Sequence, residues 1–198
     1  MATVVLFHSV LGPRPGIEDA AARLRAAGHE VHTPDLYGGD HFDEYDPAMA
    51  YSAQVGQETL MTRALDSVAD LPDGFVVGGF SQGSSAAVFV ATRRAVSGVL
   101  QFAGFNVLEW FGPEAKWPAG IDTQVHQTLG DPWREDEFAE LAERDVTSAG
   151  GRAEVFDYPG TGHLFTDASL PEEFDAEATE LLWSRVLPFV ARVSQARK

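Results

Sequence analysis

The sequence predicts a single α/β domain, residues 1–198, built on a mostly parallel sheet of about six to seven strands with helices on both faces. Three observations carry this expectation. Apolar runs of strand length alternate with longer segments of helical period along the whole chain. Several runs, TVVLF (Thr3–Phe7) and GFVVGG (Gly74–Gly79) among them, are almost continuous in apolar residues, as strands covered on both faces must be. No repeat, low-complexity tract or linker interrupts the 198 residues, a length most often used by one domain.

The elements follow in order. After the Thr3–Phe7 strand, Gly16–Ala27 has helical period, with Ile17, Ala20, Ala21 and Leu24 on one face. HEVHTP (His29–Pro34) is a second strand, ended by its proline. Helical spacing returns from about Ser52 to Ala69, where Val55, Leu60, Ala64, Leu65 and Val68 are apolar. Gly74–Gly79 is the third strand and Ser84–Arg94 the next helix. Val96–Gly104 and Thr123–Gly130 are strands four and five. A charged helix, Glu135–Ala149, leads to the sixth strand, Arg152–Tyr158, and an amphipathic helix from about Pro171 to Val193 closes the chain.

Two stretches, Tyr37–Tyr51 and Gly104–Gly120, read as long irregular loops, which in a compact domain are usually functional. The first is acidic, with no role assigned by its residues. The second carries Phe105, Trp110, Phe111 and Trp117, which either wall an apolar pocket or pack together under the loop.

A formal net charge of −16 argues against nucleic acid and anionic membrane surfaces as partners, and solubility is its simplest meaning. With no cysteine there is no disulfide, thiolate metal site or cysteine nucleophile. The opening residues lack a basic region, and no apolar run is long enough to span a bilayer, so a cytoplasmic protein is expected. No metal is expected either: His29 and His32 lie three apart on a strand and face opposite sides, and the carboxylates around His41 lack a ligand spacing. His126, in mid-strand, reads as a core or edge residue.

The chemistry is read from Gly79-Phe80-Ser81-Gln82-Gly83, placed where the third strand gives way to a helix of small residues. In such sheets ligands bind at the carboxyl ends of the strands. Ser81 follows the third strand, Asp131 the fifth and His163 the sixth, and the chain order Ser, Asp, His is that of α/β-hydrolases. A serine hydroxyl needs an imidazole to take its proton, and the imidazole needs a carboxylate to set its tautomer and orientation. Gly79 and Gly83 leave room around a strained serine. The amide of Gln82, at a helix start, and that of Val10, in the loop after the first strand, are the expected donors to a developing oxyanion. Each residue also has a simpler reading. Ser81 could be a helix N-cap, His163 a surface histidine, and Asp131 the start of an Asp-Pro turn, with Asp136 its nearest substitute.

Taken together, VVLFHSVLG, HEVHTPDLYGG, GGFSQGSS, TLGDPW and YPGTGHLF resemble the dienelactone hydrolase family, within the α/β-hydrolase fold, over nearly the whole length. PDLY and the YPG-x-GH-x-F ending are the most distinctive pieces. The resemblance implies a hydrolase with a nucleophile, Asp and His triad and no metal or cofactor, the roles falling on Ser81, Asp131 and His163. It also implies that His8 shapes the oxyanion loop rather than transferring protons. Three departures bear on the substrate. Family members that open dienelactones have a cysteine nucleophile where this chain has Ser81 and a glutamate where it has Ser9. They also bind substrate carboxylate through arginines, one of them at the place of Asp167. No arginine occurs between Arg25 and Arg63.

The expected function is therefore hydrolysis of a small-molecule ester or lactone through an acyl-enzyme on Ser81, with dienelactone itself disfavoured. A non-catalytic binding protein on the same scaffold is the alternative from another class, and an acyltransferase or thioesterase would use the same acyl-enzyme. Small proteins of this kind are commonly homodimers.

Overall fold

The computed structural model describes residues 1–195. Six strands form one parallel sheet: β1 (Thr3–Phe7), β2 (Glu30–His32), β3 (Phe75–Phe80), β4 (Val96–Phe102), β5 (Thr123–Thr128) and β6 (Ala153–Tyr158), in the order β2-β1-β3-β4-β5-β6. The helices are α1 (Pro15–Ala26), α2 (Tyr45–Val55), α3 (Gln57–Asp66), α4 (Gln82–Ala91), α5 (Asp136–Ser148) and α6 (Ala176–Gln195).

Alternation along the strands builds two cores. Val4, Leu6, Val76 and Leu100 face α1 and α6, where they meet Leu24, Leu182 and Phe189. Val5, Phe7, Val77 and Val99 face the other way, against Leu60 and Ala64 of α3, Val88 of α4 and Val146 of α5. Burial on both faces explains why the central strands read as unbroken apolar runs. Gly98 admits α6 at close range, since a Cβ there would stand 2.9 Å from Val193 and 3.2 Å from the Phe189 ring.

Because every strand is parallel, all carboxyl ends lie at one edge; Phe7 pairs with Gly79, Gly79 with Gln101, and Phe102 with His126. The chain steps from β1 outward to β2 and then returns to lay β3 on the other side of β1. That reversal opens a crevice beyond the ends of β1 and β3, the usual place for a ligand in such sheets.

Three boundaries differ from the sequence reading. The expected helix from Ser52 to Ala69 is two helices, because Gly56, at φ +86°, ends α2 in a conformation no helix can include. Helix α2 begins at Tyr45, so the second half of the Tyr37–Tyr51 stretch is helical; Pro47 in its first turn costs no hydrogen bond. The closing helix begins at Ala176 rather than Pro171, with the Asp175 carboxylate accepting the Ala178 N–H at 2.9 Å as its cap. Within Gly104–Gly120 there is one short 3₁₀ turn, Leu108–Phe111.

Candidate active site

Ser81 directly follows β3 with φ 53° and ψ −116°, a conformation that costs a non-glycine residue on the order of 1–3 kcal/mol. The surroundings hold it there. Its N–H donates to the Phe102 carbonyl at 2.7 Å, and its own carbonyl accepts the Ser84 N–H at 2.8 Å and the Ser84 hydroxyl at 2.7 Å. The flanking glycines are sterically required. A Cβ at Gly79 would lie 2.1 Å from the Gly83 carbonyl oxygen, and one at Gly83 would lie 2.3 Å from the Phe7 oxygen and 2.5 Å from that of His8. The Ser81 side chain caps no amide of α4, unlike an ordinary N-cap serine.

After β1, Ser9 offers its carbonyl to the Gly12 N–H at 3.0 Å and its Oγ to the Leu11 N–H at 3.2 Å, and the Val10 N–H between them has no acceptor among the described residues. Gln82 is the first residue of α4, so its N–H has no carbonyl of the helix to bond. Both residues line the crevice beside Ser81. His8 anchors this loop: Nδ1 meets the Ser9 carbonyl at 2.7 Å while Nε2 accepts the Leu36 N–H at 3.0 Å, an arrangement that sets the Nδ1–H tautomer. Burial holds its pKa below the usual histidine range.

His163 and Asp131 are both buried, and His163 Nδ1 lies 2.7 Å from Asp131 Oδ2. Asp131 Oδ1 accepts the Trp133 N–H at 2.8 Å, so each carboxylate oxygen has a partner. With Nδ1–H committed to the carboxylate, Nε2 is left as an acceptor. Asp136, the alternative carboxylate, pairs with Arg134 instead. Trp133 packs against the imidazole with ring centroids 4.6 Å apart, and Tyr45, 6.1 Å from the imidazole, packs in turn on Trp133 at 4.6 Å. Tyr45 Oη donates to Glu173 at 2.8 Å, and the other Glu173 oxygen accepts the Leu164 N–H at 2.6 Å, which braces the segment after His163. Burial, and after it the Glu173 carboxylate, raises the Tyr45 pKa.

Ser81, Asp131 and His163 line one cavity of about 770 Å³, together with Val10 and Gln82. The aromatic loop divides. Phe105 and Trp110 line the cavity. Phe111 and Trp117 do not: Phe111 packs edge-on against Phe89 at 5.9 Å, and Trp117 is buried with its Nε1–H donating to the Ile121 carbonyl at 2.7 Å. In a 3₁₀ turn neighbouring residues point about a third of a revolution apart, so Trp110 and Phe111 separate. Ser9 likewise faces away, toward a small internal void beside Arg14 and Asp167.

The cavity is also lined by residues that no sequence motif marks: Tyr45 and Met49 of α2, Met61 of α3, Asn106 and Phe138. The i, i+4 pair Tyr45 and Met49 was a helical signal available in the sequence. Asn106 is buried beneath the site, donating to Ser84 Oγ at 2.8 Å and Gln101 Oε1 at 3.1 Å while its Oδ1 accepts the Ser85 hydroxyl. It thereby ties the start of the aromatic loop to the first turn of α4.

Asp167, which stands where the resemblance implies an arginine, lies 3.5 Å from buried Arg14 and accepts the Ser169 N–H and hydroxyl. Its charge is spent inside the fold and does not face the cavity. The cation that does reach the cavity is Arg134, bound to Asp157 at 2.6 and 3.4 Å and to Asp136 at 2.7 Å. The Asp157 bond raises the Arg134 pKa, and Arg134 holds that of Asp157 below the usual carboxylate range.

The sheet order, the strained serine at its crevice and the His–Asp pair opposite are the features of an α/β-hydrolase. A family model for the dienelactone hydrolase family matches residues 1–194, and the chain belongs to that family. A carboxymethylenebutenolidase from Rhodococcus opacus is 26% identical over 206 residues, spanning 96% of this chain and 81% of the relative. Among solved structures, a dienelactone hydrolase-like promiscuous phosphotriesterase from metagenomic libraries aligns over 98% of this chain and 87% of its own, at TM-score 0.81 and 18% identity. A metagenome-derived lipolytic enzyme aligns over 96% and 94% of the two chains, at TM-score 0.66 and 17% identity. At such identities these two structures share the fold.

Proposed function

We propose that the protein is a serine hydrolase that cleaves a carboxylic ester or lactone through an acyl-enzyme on Ser81. The observation that carries this reading is the placement of a strained serine, its hydroxyl free of any capping bond, on the same cavity as the His163–Asp131 pair. Ser81 Oγ attacks the substrate carbonyl as its proton passes to His163 Nε2, and Asp131 stabilises the resulting imidazolium through Nδ1–H. The Gln82 and Val10 N–H groups receive the oxyanion. Collapse breaks the ester C–O bond, with the His163 proton going to the leaving oxygen. Water then attacks the acyl group, giving its proton to His163, and Ser81 is released with that proton as the acid departs.

The test is labelling with a fluorophosphonate probe beside turnover of a short p-nitrophenyl ester. Both are expected in the wild type and neither in Ser81→Ala. A wild type that neither labels nor turns over any activated ester, yet gains thermal stability from a ligand equally with and without Ser81, would identify a binding protein instead. The carboxymethylenebutenolidase relative is named for a lactone bearing carboxylate, whereas the cation among the described cavity residues, Arg134, is already paired with Asp136 and Asp157.

A further inference from the structure

We propose, resting on the acyl-enzyme reading above, that the site selects uncharged esters with an apolar acyl group of medium length. The same proposal gives the Asp136–Arg134–Asp157 cluster the task of withholding the cavity's cation from anionic substrates.

The cavity has two unlike parts. The leaving oxygen must lie against His163, whose neighbour Trp133 is 46% exposed at the open rim. The alcohol is therefore placed on the Trp133 side of the cavity, and the remaining space falls to the acyl group. That space is walled by Met61, which is buried, by Phe105, and by Trp110 packed edge-on against Phe138 at 5.1 Å. Met49, 43% exposed, stands at its margin. At about 770 Å³ the cavity is well above what an acetyl group fills, within the roughly 300–1,000 Å³ typical of small-molecule sites.

Charge works in the same direction. Among the described residues lining the cavity, Arg134 is the only cation, against the carboxylates of Asp131 and Glu135. The Arg134 guanidinium already spends Nε on Asp136 and both terminal nitrogens on Asp157, neither of which lines the cavity. A substrate carboxylate entering here would lose water to meet a guanidinium whose charge Asp136 and Asp157 already offset, beside like charges.

Wild-type enzyme is assayed on p-nitrophenyl acetate, butyrate, hexanoate and octanoate, and on the anionic hemiester mono-p-nitrophenyl glutarate, with Ser81→Ala as the blank for each. The expected kcat/KM rises about fourfold per added methylene up to hexanoate, the ratio that corresponds to burying one methylene group. The hemiester is expected to fall about a hundredfold below hexanoate. In the double variant Asp136→Asn, Asp157→Asn the hexanoate rate is expected to persist while the hemiester gains about tenfold, as Arg134 is released. A flat or falling series, or a hemiester used as well as hexanoate, overturns the selectivity even where Ser81-dependent acetate turnover keeps the hydrolase reading intact. An unchanged hemiester-to-hexanoate ratio in the double variant overturns the task given to the cluster. Absence of Ser81-dependent turnover on every ester overturns the underlying reading itself.

Discussion

The most searching single substitution is Asp131→Asn, because it keeps shape and removes one acceptor. In the wild type, Oδ2 accepts from His163 Nδ1 at 2.7 Å and Oδ1 accepts from the Trp133 N–H at 2.8 Å. An amide has one acceptor and one donor end, so only one of these two bonds can survive. If the amide oxygen stays with Trp133, its NH2 faces Nδ1, the imidazole moves its proton to Nε2, and no base remains for Ser81. If the oxygen turns to His163, the NH2 opposes the Trp133 N–H, and a buried unpaired donor costs about 1–3 kcal/mol. The first outcome lowers kcat by about ten-thousandfold with little change in KM. The second shows as a fall in Tm of roughly 3–10 °C for a chain of this size. The assay is steady-state turnover of p-nitrophenyl butyrate together with a thermal melt, with Asp136→Asn measured alongside. Asp136 sits on Arg134 away from the cavity, and its variant is expected to stay within about twofold in kcat, since an exposed pair contributes little. A kcat within tenfold of wild type in Asp131→Asn, with the melt unchanged, would refute the assignment of Asp131.

Further outcomes follow from the same contacts. Gly83→Ala drives a Cβ to 2.3 Å from the Phe7 carbonyl, a backbone atom with no room to yield; it is expected to destabilise by several kcal/mol and to abolish fluorophosphonate labelling, read by urea melts and gel fluorescence. Trp110→Ala and Trp117→Ala are expected to separate: the exposed Trp110 raises KM for long-chain esters at nearly constant Tm. The buried Trp117 costs about 3–5 kcal/mol in urea unfolding. Stability should also fall with acid. His126 is wholly buried among Phe102, Phe156 and Tyr158, and burial lowers its pKa to about 3. A base with a depressed folded pKa stays neutral in the fold while the unfolded chain takes up its proton, so its effect is absent above about pH 6.5 and grows as pH drops toward 3. That slope is about 1.4 kcal/mol per pH unit, or about 2 kcal/mol at pH 5, with His8 acting in the same direction. Urea midpoints at pH 7.5 and pH 5 measure it; equal midpoints would contradict the burial of a neutral imidazole.

The sequence by itself determined the sheet, its parallel sense and the ends at which Ser81, Asp131 and His163 emerge. Those features are written in short-range chemistry: unbroken apolar runs need cover on both faces, and Gly79 and Gly83 are the residues that a strained serine between them demands. The tertiary structure alone decided what surrounds the serine. Trp110 and Phe111 are neighbours in the chain, yet one lines the cavity and the other packs on Phe89, because a turn points adjacent side chains apart and only the partners across space reward one direction. The same holds for charge. Composition shows an acidic chain, 30 Asp and Glu against 14 Lys and Arg, but whether Asp167 and Arg134 face a substrate or each find an internal partner depends on Arg14, Asp136 and Asp157. Arg14 and Asp167 meet across 153 residues, and such a pairing is fixed by the folded path of the backbone, which no local pattern encodes.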